Sequence, residues 1–171
     1  KYYWEVQSLT TGAIQGRIGL SEASVTLSED PGVSSASWAF NCSDGQIVTN
    51  NSLTPYGGSV TAGKTVGIAF DADNGRLYFS IDGVWQNGGN PSTQTNPAFS
   101  GLTSTQYYPC FGGNGTSNLC VNFGQRPYAF EAPAGFGPLT ENPVFQTFTL
   151  LDSSQISDFQ VGDVVIESGG G

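Results

Sequence analysis

The chain has 171 residues, of which 37% are hydrophobic, 12% aromatic and only 11% charged, with 24 glycines and no histidine. That length suits one substantial domain whose core needs no staples, with room for a small appendage. Five basic against fourteen acidic residues leave a net charge of -9, which repels nucleic acid and anionic membrane, and there is no long apolar run to insert into a bilayer.

Residues 1–7 place Tyr3, Glu5 and Gln7 on one side and Tyr2, Trp4 and Val6 on the other, which predicts a strand that begins without any lead-in. Gly16-Arg17-Ile18-Gly19-Leu20 predicts a second strand, and a polar loop over residues 21–37 with the acidic pair Glu29-Asp30 follows it. Residues 37–40 set Trp38 and Phe40 on one face, and Ser43-Asp44-Gly45 turns the chain into a strand over residues 46–49. A loop over residues 50–61, containing Pro55 and Tyr56, then leads into the central stretch.

Residues 63–86 read GKTVGIAFDADNGRLYFSIDGVWQ. Asn74-Gly75 tolerates positive φ at both centres of a two-residue turn, so it predicts a hairpin with Asp73 facing Arg76, Phe70 facing Phe79 and Ile68 facing Ile81. Directly opposed residues share a face. Val66, Ile68, Phe70, Leu77, Phe79 and Ile81 thus form an apolar face, with Gly67, Ala69, Asp71, Tyr78, Ser80 and Asp82 on the other. Asp82-Gly83 repeats the device and returns Val84 opposite Ile81 and Trp85 opposite Ser80. The outcome is a three-strand meander with one buried face that needs a second layer.

Residues 86–95 contain no apolar side chain and predict an exposed loop, after which Phe99 and Leu102 return to the core. Residues 107–111 and 119–123 predict strands of a second hairpin with a polar tip over 112–118; Leu119, Val121 and Phe123 share a face. Phe136, within Pro133-Ala134-Gly135-Phe136-Gly137-Pro138-Leu139, is expected to plug the end of the fold. Many short strands separated by turns predict an all-β fold, a two-sheet antiparallel β-sandwich over residues 1–139. Alternation over 144–151 and the run Phe159-Gln160-Val161-Gly162-Asp163-Val164-Val165-Ile166 predict two further strands. Two strands make no independent core, so residues 140–171 read as a linker and a truncated second small β-domain, or as a β extension that pairs with another subunit.

Three cysteines, Cys42, Cys110 and Cys120, exclude a fully paired disulfide framework, and without histidine their spacing suits no zinc site. Cys110 and Cys120 are equidistant from Gly115 and could form a cross-strand disulfide; the alternative is two small buried or half-buried thiols. The absence of histidine removes Ser-His-Asp and Cys-His mechanisms. Asp71 and Asp73 flank a turn, where acidic residues commonly serve as punctuation, and they lack the remaining ligands of a calcium loop. No catalytic residue, metal or cofactor is expected. Trp4 and Trp38 fit the core, Arg126 fits a bridge from the closing segment to a carboxylate or carbonyl, and Trp85 and Tyr56 are each either exposed or lidded.

Lys1-Tyr2-Tyr3-Trp4-Glu5-Val6, the Gly16 to Leu20 strand, Ser37-Trp38-Ala39-Phe40 with Asp44-Gly45, the central meander, Tyr108-Pro109 and Val121-Asn122-Phe123-Gly124 together resemble, in order, the strands of SPRY domains. The resemblance covers residues 1–139. It implies a concanavalin-like sandwich, without catalysis of its own, that binds partners through loops at one end. The family's usual residues before the first strand are missing, from which an incomplete sheet edge is expected. The closing run from Phe123 to Phe136 resembles SPRY domains of bacteriophage virion proteins, tail-fibre and other adhesive ones. That implies a homo-oligomeric virion component recognising a host-surface glycan or protein, or anchoring to neighbouring virion subunits. The alternatives are a cytoplasmic adaptor that captures a short peptide, and a carbohydrate-active enzyme. The binding surface implied by the family combines residues 27–35 with the 112–117 tip, and the residues expected on it are Leu27, Asp30, Val33, Tyr56, Trp85, Phe111, Gly113, Asn114 and Thr116.

Overall fold

The computed structural model describes residues 1–9, 16–26, 28–113 and 118–139. Ten strands are built in chain order: β1 (Tyr2–Ser8), β2 (Gly16–Ser21), β3 (Ser37–Asn41), β4 (Gln46–Thr49), β5 (Ser52–Pro55), β6 (Thr65–Asp71), β7 (Arg76–Ile81), β8 (Val84–Trp85), β9 (Tyr108–Gly113) and β10 (Leu119–Asn122). They form two antiparallel five-stranded sheets, ordered β10-β1-β6-β7-β8 and β5-β4-β3-β2-β9. The fold is the expected all-β sandwich. Among the described residues no helix is long and apolar enough to cross a membrane. The expected strands over 144–151 and 159–166, and any boundary near residue 140, lie outside the described residues.

Between the sheets the alternation of each strand delivers one continuous core. Trp4 and Val6, Ile18 and Leu20, Phe40, Val66, Ile68 and Phe70, and Leu77 and Phe79 are all buried there, with Phe40 stacked on Phe79 at 5.3 Å. Trp38 is half-buried against the same core with its ring edge on Tyr107.

The meander keeps its predicted faces but not its predicted register. Asp71 opposes Arg76, Phe70 opposes Leu77 and Ile68 opposes Phe79, so the loop is Ala72, Asp73, Asn74 and Gly75 instead of two residues. The cause is Asp71, whose carboxylate accepts from the Asn74 backbone N–H (3.2 Å) and from Asn74 Nδ2 (3.0 Å) and so closes the turn one pair early. Only Gly75 of that loop takes positive φ. A shift of two residues preserves side-chain parity, which explains why the faces survive. The second turn matches expectation, with Asp82 and Gly83 at positive φ and Val84 opposite Ile81.

Three further expectations are corrected. Residues 50–61 contain a strand, β5, entered through Asn50 and Asn51, both at positive φ. β9 and β10 are not a hairpin: β9 pairs with β2 in one sheet and β10 with β1 in the other, so the chain crosses between layers there. Cys110 and Cys120 therefore sit on different sheets, and all three cysteines are free thiols. Finally, β1 is an interior strand, between β10 and β6. β10 lies at an edge, where the Gln125 carboxamide accepts from Phe123 N–H (2.6 Å) and donates to the Val121 carbonyl (2.9 Å), giving edge backbone groups side-chain partners.

The meander's second face is also buried, which the sequence reading did not anticipate. Tyr3, Ala69, Tyr78 and Phe136 form a separate apolar layer on the outer side of the first sheet, with Trp85 and Tyr128 packed against it. Phe136 thus covers a sheet face instead of plugging the end of the sandwich. The anchor is Glu5, only 3% exposed. Its carboxylate accepts from the backbone N–H groups of Ala129 (2.8 Å) and Phe130 (2.9 Å) and from the Tyr3 hydroxyl (3.1 Å), while the Tyr128 hydroxyl donates to the Tyr3 carbonyl. Glu5→Ala leaves these donors without their acceptor and is expected to cost about 2 kcal/mol in chemical denaturation, with loss of amide-exchange protection at Phe130. Unchanged stability would contradict the anchoring role.

Asp71 is fully buried and paired with Lys1 Nζ at 2.8 Å. Burial alone would push its carboxyl up, but the hydrogen bonds from Lys1 and Asn74 outweigh that and hold it below the ordinary carboxylate value. A folded pKa below the unfolded one contributes stability that is full above about pH 4 and lost as pH falls through the folded value. Stability measured between pH 6 and pH 2 should therefore fall less steeply for Asp71→Asn than for the parent chain.

Candidate functional site

On the outer side of the second sheet, residues 22–36 form a loop whose ends meet, the Glu22 N–H donating to the Ala36 carbonyl at 2.9 Å. Short turns stiffen it internally, Val25 N–H to the Glu22 carbonyl and Val33 N–H to the Asp30 carbonyl among them. Its foot is Pro31-Gly32, both buried. Four hydrogen bonds pin this foot and its flank: Arg17 Nη1 to the Pro31 carbonyl (3.2 Å), Gly32 N–H to Ser37 Oγ (2.8 Å), Asn51 N–H to the Gly32 carbonyl (2.9 Å) and Asn50 N–H to the Ser34 carbonyl (3.2 Å).

Two glycines make this crossing possible. Gly32 has φ +86°, and a Cβ there would lie 2.6 Å from the Val48 carbonyl oxygen. A Cβ on Gly112 of β9 would lie 2.3 Å from Cδ of Pro31. Both distances are shorter than any real packing contact, so the loop rests directly on the sheet backbone.

Between this loop and β9 runs a cleft of about 630 Å³ lined by Glu22, Val25, Glu29, Pro31, Tyr108 and Phe111, among others. Tyr108 is 42% exposed. Cys110, from the same strand, also lines the cleft, and burial pushes its thiol up to about 12 against the opposing hydrogen bonds of Ser21 and Gly19. Such a thiol is protonated at neutral pH and is a poor nucleophile. Among the described residues no cluster of acidic and cysteine side chains could hold a metal ion. The arrangement offers shape, apolar contact and negative charge, the ingredients of recognition.

The structure joins only part of the expected surface. Asp30 is exposed and Val33 half-buried on the loop. Phe111 lines the cleft, its ring 6.4 Å from that of Phe123, and Gly113 ends β9 opposite Gly16. Within the two expected segments, Pro31 lies against Gly112. Leu27, Asn114 and Thr116 lie outside the described residues. Tyr56 belongs to the main core, 7% exposed, its hydroxyl donating to the Asn96 carbonyl. Trp85 sits half-buried on the other sheet, edge-on to Tyr3 and Tyr78. Arg126 donates to Cys120 Sγ at 2.9 Å instead of to a carboxylate or carbonyl. Sequence reasoning missed Glu22, Val25 and Tyr108 as lining residues; the outward parity of Tyr108 and Cys110 was the available signal, hidden by the mistaken hairpin.

The family model of the SPRY domain matches residues 1–126. The chain is 30% identical over 156 residues to the E3 ubiquitin-protein ligase RKP of Arabidopsis thaliana, covering 86% of this chain and 11% of that protein. It is 28% identical over 180 residues to protein ssh4 of Neosartorya fischeri, covering 97% of this chain and 34% of the relative. Protein SSH4 of Coccidioides immitis is 29% identical over 148 residues, 81% of this chain and 28% of the relative. The chain thus spans between about a tenth and a third of the length of these relatives. They are plant and fungal proteins, and nothing in them supports the expected bacteriophage origin.

Gly112→Ala places a methyl into the Pro31 ring and is expected to destabilise the chain by about 2 kcal/mol, with amide-exchange protection lost first at Gly32 and Asn51. Protection unchanged at both amides would mean the loop does not rest on β9.

Proposed function

The chain belongs to the SPRY domain family, and from that premise we propose that it is a protein-interaction module that captures a short segment of a partner protein in the cleft between the 22–36 loop and β9. The observation that carries this reading is the pinned loop: a rigid wall bearing Val25 and Pro31 and a ring exposed at Tyr108 form a pre-organised groove of the size that takes a few side chains. The relatives support a modular role, since one chain-length of this kind makes up only 11% of a protein named as a ubiquitin ligase. In such a setting the module selects what the larger protein acts on. These relatives are plant and fungal proteins, which favours the cytoplasmic adaptor reading over the virion one; three free thiols are compatible with it.

Panning the 171-residue chain against a random peptide library, with a glycan array in parallel, tests the proposal. Peptides are expected to bind, the glycans are not, and Tyr108→Ala should weaken the peptides about tenfold without changing stability. Glycan binding alone, or peptide binding indifferent to Tyr108→Ala, would overturn it.

A further inference from the structure

The cleft carries more acidic than basic charge. Glu22 and Glu29 line it, and Asp30 follows directly. Four of the five basic residues of the sequence are engaged elsewhere. Lys1 pairs with Asp71 and Lys64 with Asp82. Arg76 donates to the Gln94 carbonyl and side chain, and Arg126 to Cys120. Those four belong to the first sheet and its connections. Arg17 is the one of the five on the second sheet; it reaches the foot of the cleft, donating to the Pro31 carbonyl, and among the described residues it forms no ion pair with Glu22 or Glu29. Among the described residues neither Glu22 nor Glu29 has an ion-pair partner.

Charge and apolar surface meet in the same groove. Val25 and Pro31 contribute apolar surface, and the ring of Tyr108 offers a face to a guanidinium or ammonium group. Resting on the reading of the cleft as a peptide site, we infer that the captured segment carries a lysine or arginine beside an apolar side chain, the cation lying by Glu22 and Glu29 and the apolar group against Val25 and Pro31. Residues 140–171 contain Glu141, Asp152, Asp158, Asp163 and Glu167 and no basic residue, so the lysine or arginine is supplied by a partner protein.

A positional-scanning peptide array on the 171-residue chain, followed by titration at two salt concentrations, tests this. Lysine or arginine is expected to be selected next to an aliphatic or aromatic position. The double substitution Glu22→Gln with Glu29→Gln should weaken the selected peptide roughly three- to tenfold and flatten its salt dependence. Asp73→Asn, an exposed carboxylate on the other sheet, should leave affinity unchanged. Peptides selected without a basic residue, weakened by Tyr108→Ala but not by the double glutamine variant, would overturn the inference and leave the peptide site standing. Peptides insensitive to both changes would overturn the site and the inference together.

Discussion

The loop over residues 22–36 rests on the backbone of the second sheet through the Pro31 ring and Gly32, and the cleft depends on that contact. Where a Cβ at Gly112 would lie 2.3 Å from Pro31 and one at Gly32 would lie 2.6 Å from the Val48 carbonyl, only hydrogen on Cα fits. The contact is held by Arg17, Ser37, Asn50 and Asn51, which come from β2, β3 and the turn between β4 and β5. A loop so held has lost its conformational freedom before any partner arrives. The ordering cost that a mobile recognition loop would meet on binding has already been met on folding.

Each sheet is covered on its outer side by irregular chain, and the two covers use different chemistry. On the first sheet, segment 127–137 is drawn down by one buried carboxylate, Glu5, and sealed by Phe136 and Tyr128 against Tyr3 and Tyr78. On the second sheet the cover is the 22–36 loop, fixed by backbone hydrogen bonds and glycine, and it leaves a groove open beside β9. Charge is divided along the same line. Four of the five cations are engaged on the first sheet or its connections, while Glu22 and Glu29 stay unpaired beside the groove. One sheet is covered and its cations are engaged, and the other presents two carboxylates without ion-pair partners beside an open groove.

Local patterns were legible in the sequence, and pairings between distant segments were not. The Asp82-Gly83 turn and the pairs Ile81 with Val84 and Ser80 with Trp85 can be read directly, because turn chemistry and register are determined within a few residues. At Asn74-Gly75 the same logic gives the right faces and the wrong register, since a side chain outside the dipeptide, Asp71, captures the turn first. β9 and β10 mislead because their alternation around Gly115 is symmetric, and alternation carries no information about which sheet a strand joins. That error hid Tyr108 from the binding surface. The second layer on the first sheet was invisible for a related reason: Glu5 meets Ala129 and Phe130 across more than a hundred residues, and nothing local marks either partner.

The most direct test of the account is a ¹⁵N-edited chemical-shift titration of the whole chain with a peptide selected for tight binding. Resonances of Glu22, Val25, Glu29, Tyr108 and Phe111 should move together, with those of Trp85, Asn87 and Thr93 unmoved. Shifts confined to the first sheet and the 86–95 loop, with the groove silent, would contradict it.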